Sequence, residues 1–226
     1  LGPCTVAPLL DAALPPAELL RFREGARLGT EREIAILFAD LRDFTQLAER
    51  RLPFDVVHLL NRYFRAMGEA VEAAGGRVDK FIGDGVMALF GAEAGGGGPA
   101  EACRAGLAAA RLISRRLAEL NAGFEAELGE RLRIGIGLHA GPAIIGEMGH
   151  GRAMALTAIG DAVNTASRLE AACKQLGCEL VVSEEVFARA GLAPVGEAHA
   201  LEVRGRREAL AVRAVMRAGE LGEALA

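Results

Sequence analysis

Lysine, cysteine, long apolar runs and excess basic charge are all in short supply in this 226-residue chain, and each shortage excludes something. No apolar stretch approaches the roughly 20 residues that a membrane helix needs, so nothing in the sequence reads as a span. Lys+Arg number 26 against 30 Asp+Glu, a net charge of −4. That balance supplies no basic field for a nucleic-acid backbone, so no nucleic-acid partner is expected. The four cysteines (Cys4, Cys103, Cys173, Cys178) form no CxxC pair and have no histidine at zinc spacing. They read as free buried thiols in a reducing, cytoplasmic compartment. Of the 26 basic residues only Lys80 and Lys174 are lysine. Where arginine is written almost everywhere else, a lysine at 80 marks a need for a compact ammonium rather than a planar guanidinium.

What is present is an ordinary globular balance, 51% hydrophobic and 25% charged. It excludes disorder, collagen and a disulfide scaffold, and it is enough for one core-bearing domain. The chain opens on Leu1 without a signal-peptide pattern and reads as a piece of a longer protein. Residues 1–30 are expected to be a connecting segment with one helix over 17–26. The domain is expected over 31–216, and 217–226 is a tail.

Periodicity gives an alternation of strands and helices. Ile34 to Phe38 predicts a buried strand ending at Asp40. Asp43 with Gln46 three residues on predicts a capping box and a helix start. Val56, Leu59, Leu60, Tyr63, Met67 and Val71 predict a helix from Pro53 to Ala74, stopped by Gly75-Gly76. Arg77 to Ile82 and Val86 to Phe90 predict a hairpin around Gly83-Asp84-Gly85. A glycine loop at 95–98 precedes a helix from Ala100 to Leu120. Leu132 to Leu138 and Ala143 to Glu147 predict two strands broken at Ala140-Gly141-Pro142. A strand ending near Ile159, a helix from Asp161 to Leu176 and a strand from Glu179 to Val182 follow. A short helix then begins at Ser183-Glu184-Glu185, and two strands lie near 195–203 and 208–214. This order predicts an α+β fold: a ferredoxin-like antiparallel sheet, a βαββαβ core with extra strands and helices, with helices on one face.

Asp40 ends an apolar strand, where an unpartnered charge is costly. Asp84 sits in a glycine turn. Separately each reads as a cap or turn residue. Together, on one sheet edge, they are the carboxylate pair that two Mg²⁺ ions need for an in-line phosphoryl displacement. The turn after Asp40 leads into a helix start at Phe44-Thr45 whose free N–H groups suit a polyphosphate. On the helix from Asp161, Asn164 and Arg168 are i,i+4 neighbours opposite the apolar stripe of Ala162, Ala166, Leu169, Cys173 and Leu176. They are either a solvated face or a face that meets a ligand or a second subunit.

Three blocks, Phe38-Ala39-Asp40-Leu41-Arg42-Asp43-Phe44-Thr45, Lys80-Phe81-Ile82-Gly83-Asp84-Gly85 and Thr157 through Leu169, resemble the signature blocks of class III adenylate and guanylate cyclases. Gly137-Leu138-His139-Ala140-Gly141 is similar to a further block, and order and spacing agree. The resemblance implies a domain that works as a homodimer with active sites at the subunit interface. It implies that Asp40 and Asp84 of one subunit hold two Mg²⁺ (or Mn²⁺) ions. The other subunit gives Lys80 and Thr157 to the base, Asn164 to the ribose and Arg168 to the phosphate.

ATP is the expected substrate. Adenine offers an acceptor at N1 for Lys80 and a donor at N6 for the Thr157 hydroxyl, whereas guanine reverses both. The Lys/Thr pair resembles the subgroup whose members often respond to bicarbonate. Arg204, in Val203-Arg204-Gly205, stands where the family often places a triphosphate lysine. His139 reads as a buried structural histidine, and no role is carried to Arg133. The residues before 31 resemble a coupling segment and imply an N-terminal sensor or membrane portion. The alternatives are a guanylate cyclase, disfavoured by Lys80; a diguanylate cyclase, whose hairpin motif is absent; and a silent dimerisation or nucleotide-sensing module.

Overall fold

The apolar run that begins at Ile34 lies inside a longer strand, β1 (Thr30–Leu41). The computed structural model describes residues 29–93, 97–129, 131–150, 154–203 and 208–222. The helix expected over 17–26 and Arg204 lie outside them. After β1 come α1 (Phe44–Glu49), α2 (Pro53–Ala73), β2 (Arg77–Ile82), β3 (Gly85–Phe90), α3 (Pro99–Leu128) and β4 (Ile134–Met148). Then follow β5 (Ala155–Ile159), α4 (Asp161–Leu176), β6 (Leu180–Ser183), α5 (Glu184–Ala190), β7 (Glu197–Leu201) and β8 (Leu210–Val215).

The strands form one sheet in the order β2-β3-β1-β4-β6-β8-β7, with β5 paired to β4. Its first four strands pair antiparallel in the order of the expected βαββαβ core. The extension is not wholly antiparallel: β6 runs parallel to β4, so the sheet is mixed.

The expectation of helices on one face holds for part of the molecule only. Ala35, Leu37, Ala39 and Leu41 of β1 share a core with buried residues of α2, α3 and α5. Ile34 and Ile36 point the other way and share a second core with Ala162 and Ala166 of α4. A central strand that is apolar on both faces must be covered on both. α4 therefore lies across the sheet from the other long helices.

The two strands expected around Gly141-Pro142 are one 15-residue strand, β4. Ile136 donates its N–H to the Glu179 carbonyl, on the β6 side. Pro142 shares that parity, but it falls between the last residue paired with β6, Leu138, and the first paired with β5, Ile144. Its missing N–H is aimed where no strand pairs, so the proline breaks no ladder. Cys103, Cys173 and Cys178 are free and buried. Among the described residues no helix is long and apolar enough to cross a membrane.

Candidate active site

Asp40 lies one residue from the end of β1 and shares the parity of Ile34, Ile36 and Phe38, the α4 side of the sheet. Antiparallel pairing sets Ala39 opposite Val86 and so brings the β2–β3 turn alongside. A Cβ on Gly85 would stand 3.3 Å from an Asp40 carboxylate oxygen. The Asp40 and Asp84 carboxyls are within hydrogen-bonding reach. Burial first, then the charge and hydrogen bond of Asp84, then the charge of Glu170 push the Asp40 carboxyl up to about 7. The expected carboxylate pair is therefore assembled, and the neighbouring negative charges favour the protonated form of Asp40.

Glu170 of α4 completes the negative cluster. Burial raises its carboxyl, Arg42 opposes that shift, and Asp84 adds to it. Arg42 lies 3.3 Å from the Glu170 carboxylate, and it donates to the Glu170 carbonyl at 3.2 Å. The fully buried Tyr63 of α2 stands near the same carboxyls, its hydroxyl without a hydrogen-bond partner among the described residues. Burial and the charges of Asp40, Asp84 and Glu170 push that hydroxyl well above its ordinary range. Sequence reading singled out neither Glu170, Arg42 nor this role of Tyr63. Only the position of Arg42 inside the Asp40 block hinted at it.

The donor set suits a hard divalent cation: two carboxylates held together against their own repulsion gain most from an added positive charge. Among the described residues no group of three or more His, Cys, Asp or Glu surrounds a common point. Asp40 and Asp84 would thus supply two ligands and leave the others to phosphate oxygens and water, the usual habit of Mg²⁺.

Lys80 and Thr157 meet on a residue the sequence did not single out, Asp79. The Thr157 hydroxyl donates to Asp79 Oδ2 at 2.6 Å, across 78 positions of sequence. Lys80 Nζ lies 3.3 Å from the same oxygen. The β4–β5 hairpin makes this possible. Its Ala143, Ile145 and Ala158 pack with Met87 and Leu89 of β3, and Arg77 of β2 donates to the Leu156 carbonyl at 3.4 Å. Exposed Phe81, Ile82, Leu156 and Ile159 lie beside the pair on β2 and β5.

Asn164 is exposed and Arg168 half-buried on α4, while Ala162, Ala166, Leu169 and Cys173 are buried on its sheet side. The i,i+4 face is therefore turned outward as expected. Phe44 packs against the core at the start of α1, and Thr45 is exposed.

The capping box is not formed. Asp43 adopts a left-handed conformation (φ 56°) and makes no cap bond. Its carboxylate instead takes Arg133 at 2.8 Å and Lys174 at 3.4 Å. Two cations distant in the chain engage the carboxylate in place of the local bond that sequence spacing suggested. His139 is buried with Nδ1 2.7 Å from the Ser183 hydroxyl, a structural contact as expected.

The chain matches the adenylate and guanylate cyclase catalytic domain family over residues 28–212. It is 38% identical over 159 residues to an adenylate cyclase of Anabaena cylindrica, covering 69% of this chain and 30% of that one. It is 35% identical over 197 residues to adenylate cyclase 1 of Rhizobium meliloti (strain 1021), covering 85% of this chain and 29% of that one. It thus spans about 30% of the length of these curated relatives. The crystal structure of the guanylyl cyclase Cya2 superposes with a TM-score of 0.75 at 28% identity, covering 86% of this chain and 97% of that one. With its signature blocks in order on the matching sheet, the chain belongs to the class III adenylate and guanylate cyclase catalytic domain family.

Proposed function

We propose that this domain is an adenylate cyclase that converts ATP to 3′,5′-cyclic AMP and pyrophosphate in composite sites of a homodimer. The observation that carries the choice of ATP is the Lys80–Asp79–Thr157 cluster. Solved and curated relatives include both guanylyl and adenylate cyclases, so the fold does not choose the base. The side chains do. Lys80 can only donate, which suits adenine N1, and the Thr157 hydroxyl can accept from N6. Guanine presents N1–H to a residue that cannot accept it, which argues against GTP.

Asp40 and Asp84 would hold two Mg²⁺ or Mn²⁺ ions, which when bound supply acidification of the 3′-hydroxyl and neutralisation of the triphosphate. Phe44 and Thr45 at the start of α1 offer backbone N–H groups to the phosphates. Asn164 of the second copy holds the ribose so that its 3′-hydroxyl faces the α-phosphorus. Arg168 of that copy meets the charge that develops as pyrophosphate leaves. Arg204 is assigned to the triphosphate by family position alone. The apolar residues beside Lys80 and Thr157 are the natural seat of the second copy. Stimulation by bicarbonate at fixed pH belongs to the same reading, as do a cytoplasmic setting and an N-terminal sensor or membrane portion.

The test is incubation of the purified domain with Mn²⁺ or Mg²⁺ and either ATP or GTP, with chromatographic identification of the product. Cyclic AMP from ATP, lost in Asp40→Ala, is expected. Cyclic GMP as the main product would replace the reading with a guanylate cyclase. No cyclic product from a dimeric protein would leave a regulatory module.

A further inference from the structure

Asp79 has no place in the roles so far assigned, yet it is the centre of the base-recognition cluster. Its side chain is 0% exposed, an expensive position for a carboxylate unless it is paired. Three groups surround it: Thr157 Oγ1 at 2.6 Å, Lys80 Nζ at 3.3 Å and Arg77 at 3.6 Å. The strand is built to put it there. Val78 pairs with Ala88 and Lys80 with Met87, so Asp79 is an extra residue in β2, a bulge. In a regular strand Asp79 and Lys80 would point to opposite faces; the bulge re-aims one so that both serve the same spot.

We propose that Asp79 is the positioning residue that sets base choice: it takes the only proton of the Thr157 hydroxyl and so leaves that hydroxyl to the nucleobase as an acceptor. This rests on the ATP reading above and deepens it. A free threonine hydroxyl rotates and serves a donor or an acceptor equally well, so it discriminates little between an amino group and a carbonyl at C6. A hydroxyl committed to a buried carboxylate has only lone pairs to offer. It rewards the N6 amino group of adenine and leaves the O6 of guanine facing another acceptor. The same carboxylate anchors Lys80, whose three N–H donors allow it to hold Asp79 and still reach N1. Asp79 touches no reacting atom; it acts through Thr157 and Lys80.

The experiment compares kcat/KM for ATP with that for inosine triphosphate, which carries a carbonyl at C6 in place of the amino group. The wild-type protein is expected to prefer ATP, because the committed Thr157 hydroxyl faces that carbonyl with lone pairs only. In Asp79→Ala, which frees the hydroxyl to rotate and donate, that preference is expected to fall about fivefold to tenfold, the worth of one well-formed hydrogen bond. Thr157→Val should do the same, and the double variant should lose no more than either single one. General damage to the fold would lower both rates and leave their ratio standing. If Asp79→Ala does not fold, Arg77→Gln/Asp79→Ala carries the comparison, because it removes the neighbouring cation together with the carboxylate. A folded variant that keeps the wild-type ratio overturns the role of Asp79 while the ATP reading stands. A wild-type protein that makes no cyclic AMP overturns the ATP reading itself, and this proposal with it.

Discussion

Burial and the neighbouring Asp84 raise the Asp40 carboxyl, and this has a measurable consequence. The folded chain holds a proton on Asp40 up to about pH 7, whereas an unfolded aspartate releases it near 3.8. Between those values the folded state binds more protons than the unfolded one, so stability falls as pH rises through that window. On the proposed function a divalent cation would bind the ionised pair of the folded state and offset that loss. Mn²⁺ should therefore raise Tm more at pH 8 than at pH 6, with each 1 kcal/mol worth about 2–4 °C in a domain of this size. Equal shifts at the two pH values would show that the ion does not bind this pair. Both carboxylates were legible in the sequence, because a charge at the end of an apolar strand and one in a glycine turn are local anomalies. Asp79 was not, because a charged residue within a strand is ordinary on a solvent-facing side, and only the bulge and the contact with Thr157 show it turned inward.

Among the elements, α4 carries Asn164, Arg168 and Glu170, and its seat depends on glycine. A Cβ on Gly137 would collide with the backbone of α4 at Ala166 and Glu170. Backbone atoms cannot step aside as a flexible side chain can, so the helix would have to lift. Gly137→Ala is expected to cost about 1–3 kcal/mol, read as a lower Tm, and to reduce activity because Asn164 and Arg168 ride on that helix. Unchanged stability would mean that α4 does not pack this closely. The limits of α4 and of the β2–β3 hairpin were legible from periodicity and turn glycines. The continuity of β4 was not. A proline is read from sequence as a break, and only the gap between its neighbouring strands makes it harmless. Asp43 failed in the same way, since its partners Arg133 and Lys174 are distant in the chain.

For the molecule as a whole, each chain carries both halves of the proposed site: carboxylates at the end of β1 and the β2–β3 turn, and an outward face on α4. A symmetric pair would then bear two composite sites. Asp40→Ala and Arg168→Ala should each be inactive alone. Mixed and allowed to exchange, they form heterodimers with one intact site and one doubly damaged one. Random pairing makes half the dimers mixed, so about a quarter of wild-type activity should return. No recovery on mixing, with exchange shown by size or mass, would place each site within a single chain.

Residue type and spacing alone revealed the family, most of the strand and helix order and the carboxylate pair. Each of these is written within a few consecutive residues, as an apolar period, a turn glycine or a charge where none is cheap. Long-range contact was needed for the rest. Covering both faces of β1 put α4 across from the other long helices. Folding the β4–β5 hairpin against β3 brought Thr157 to Asp79. Burial then made Asp79 a fixed acceptor for the Thr157 proton, since a carboxylate removed from water must find its partners in the protein.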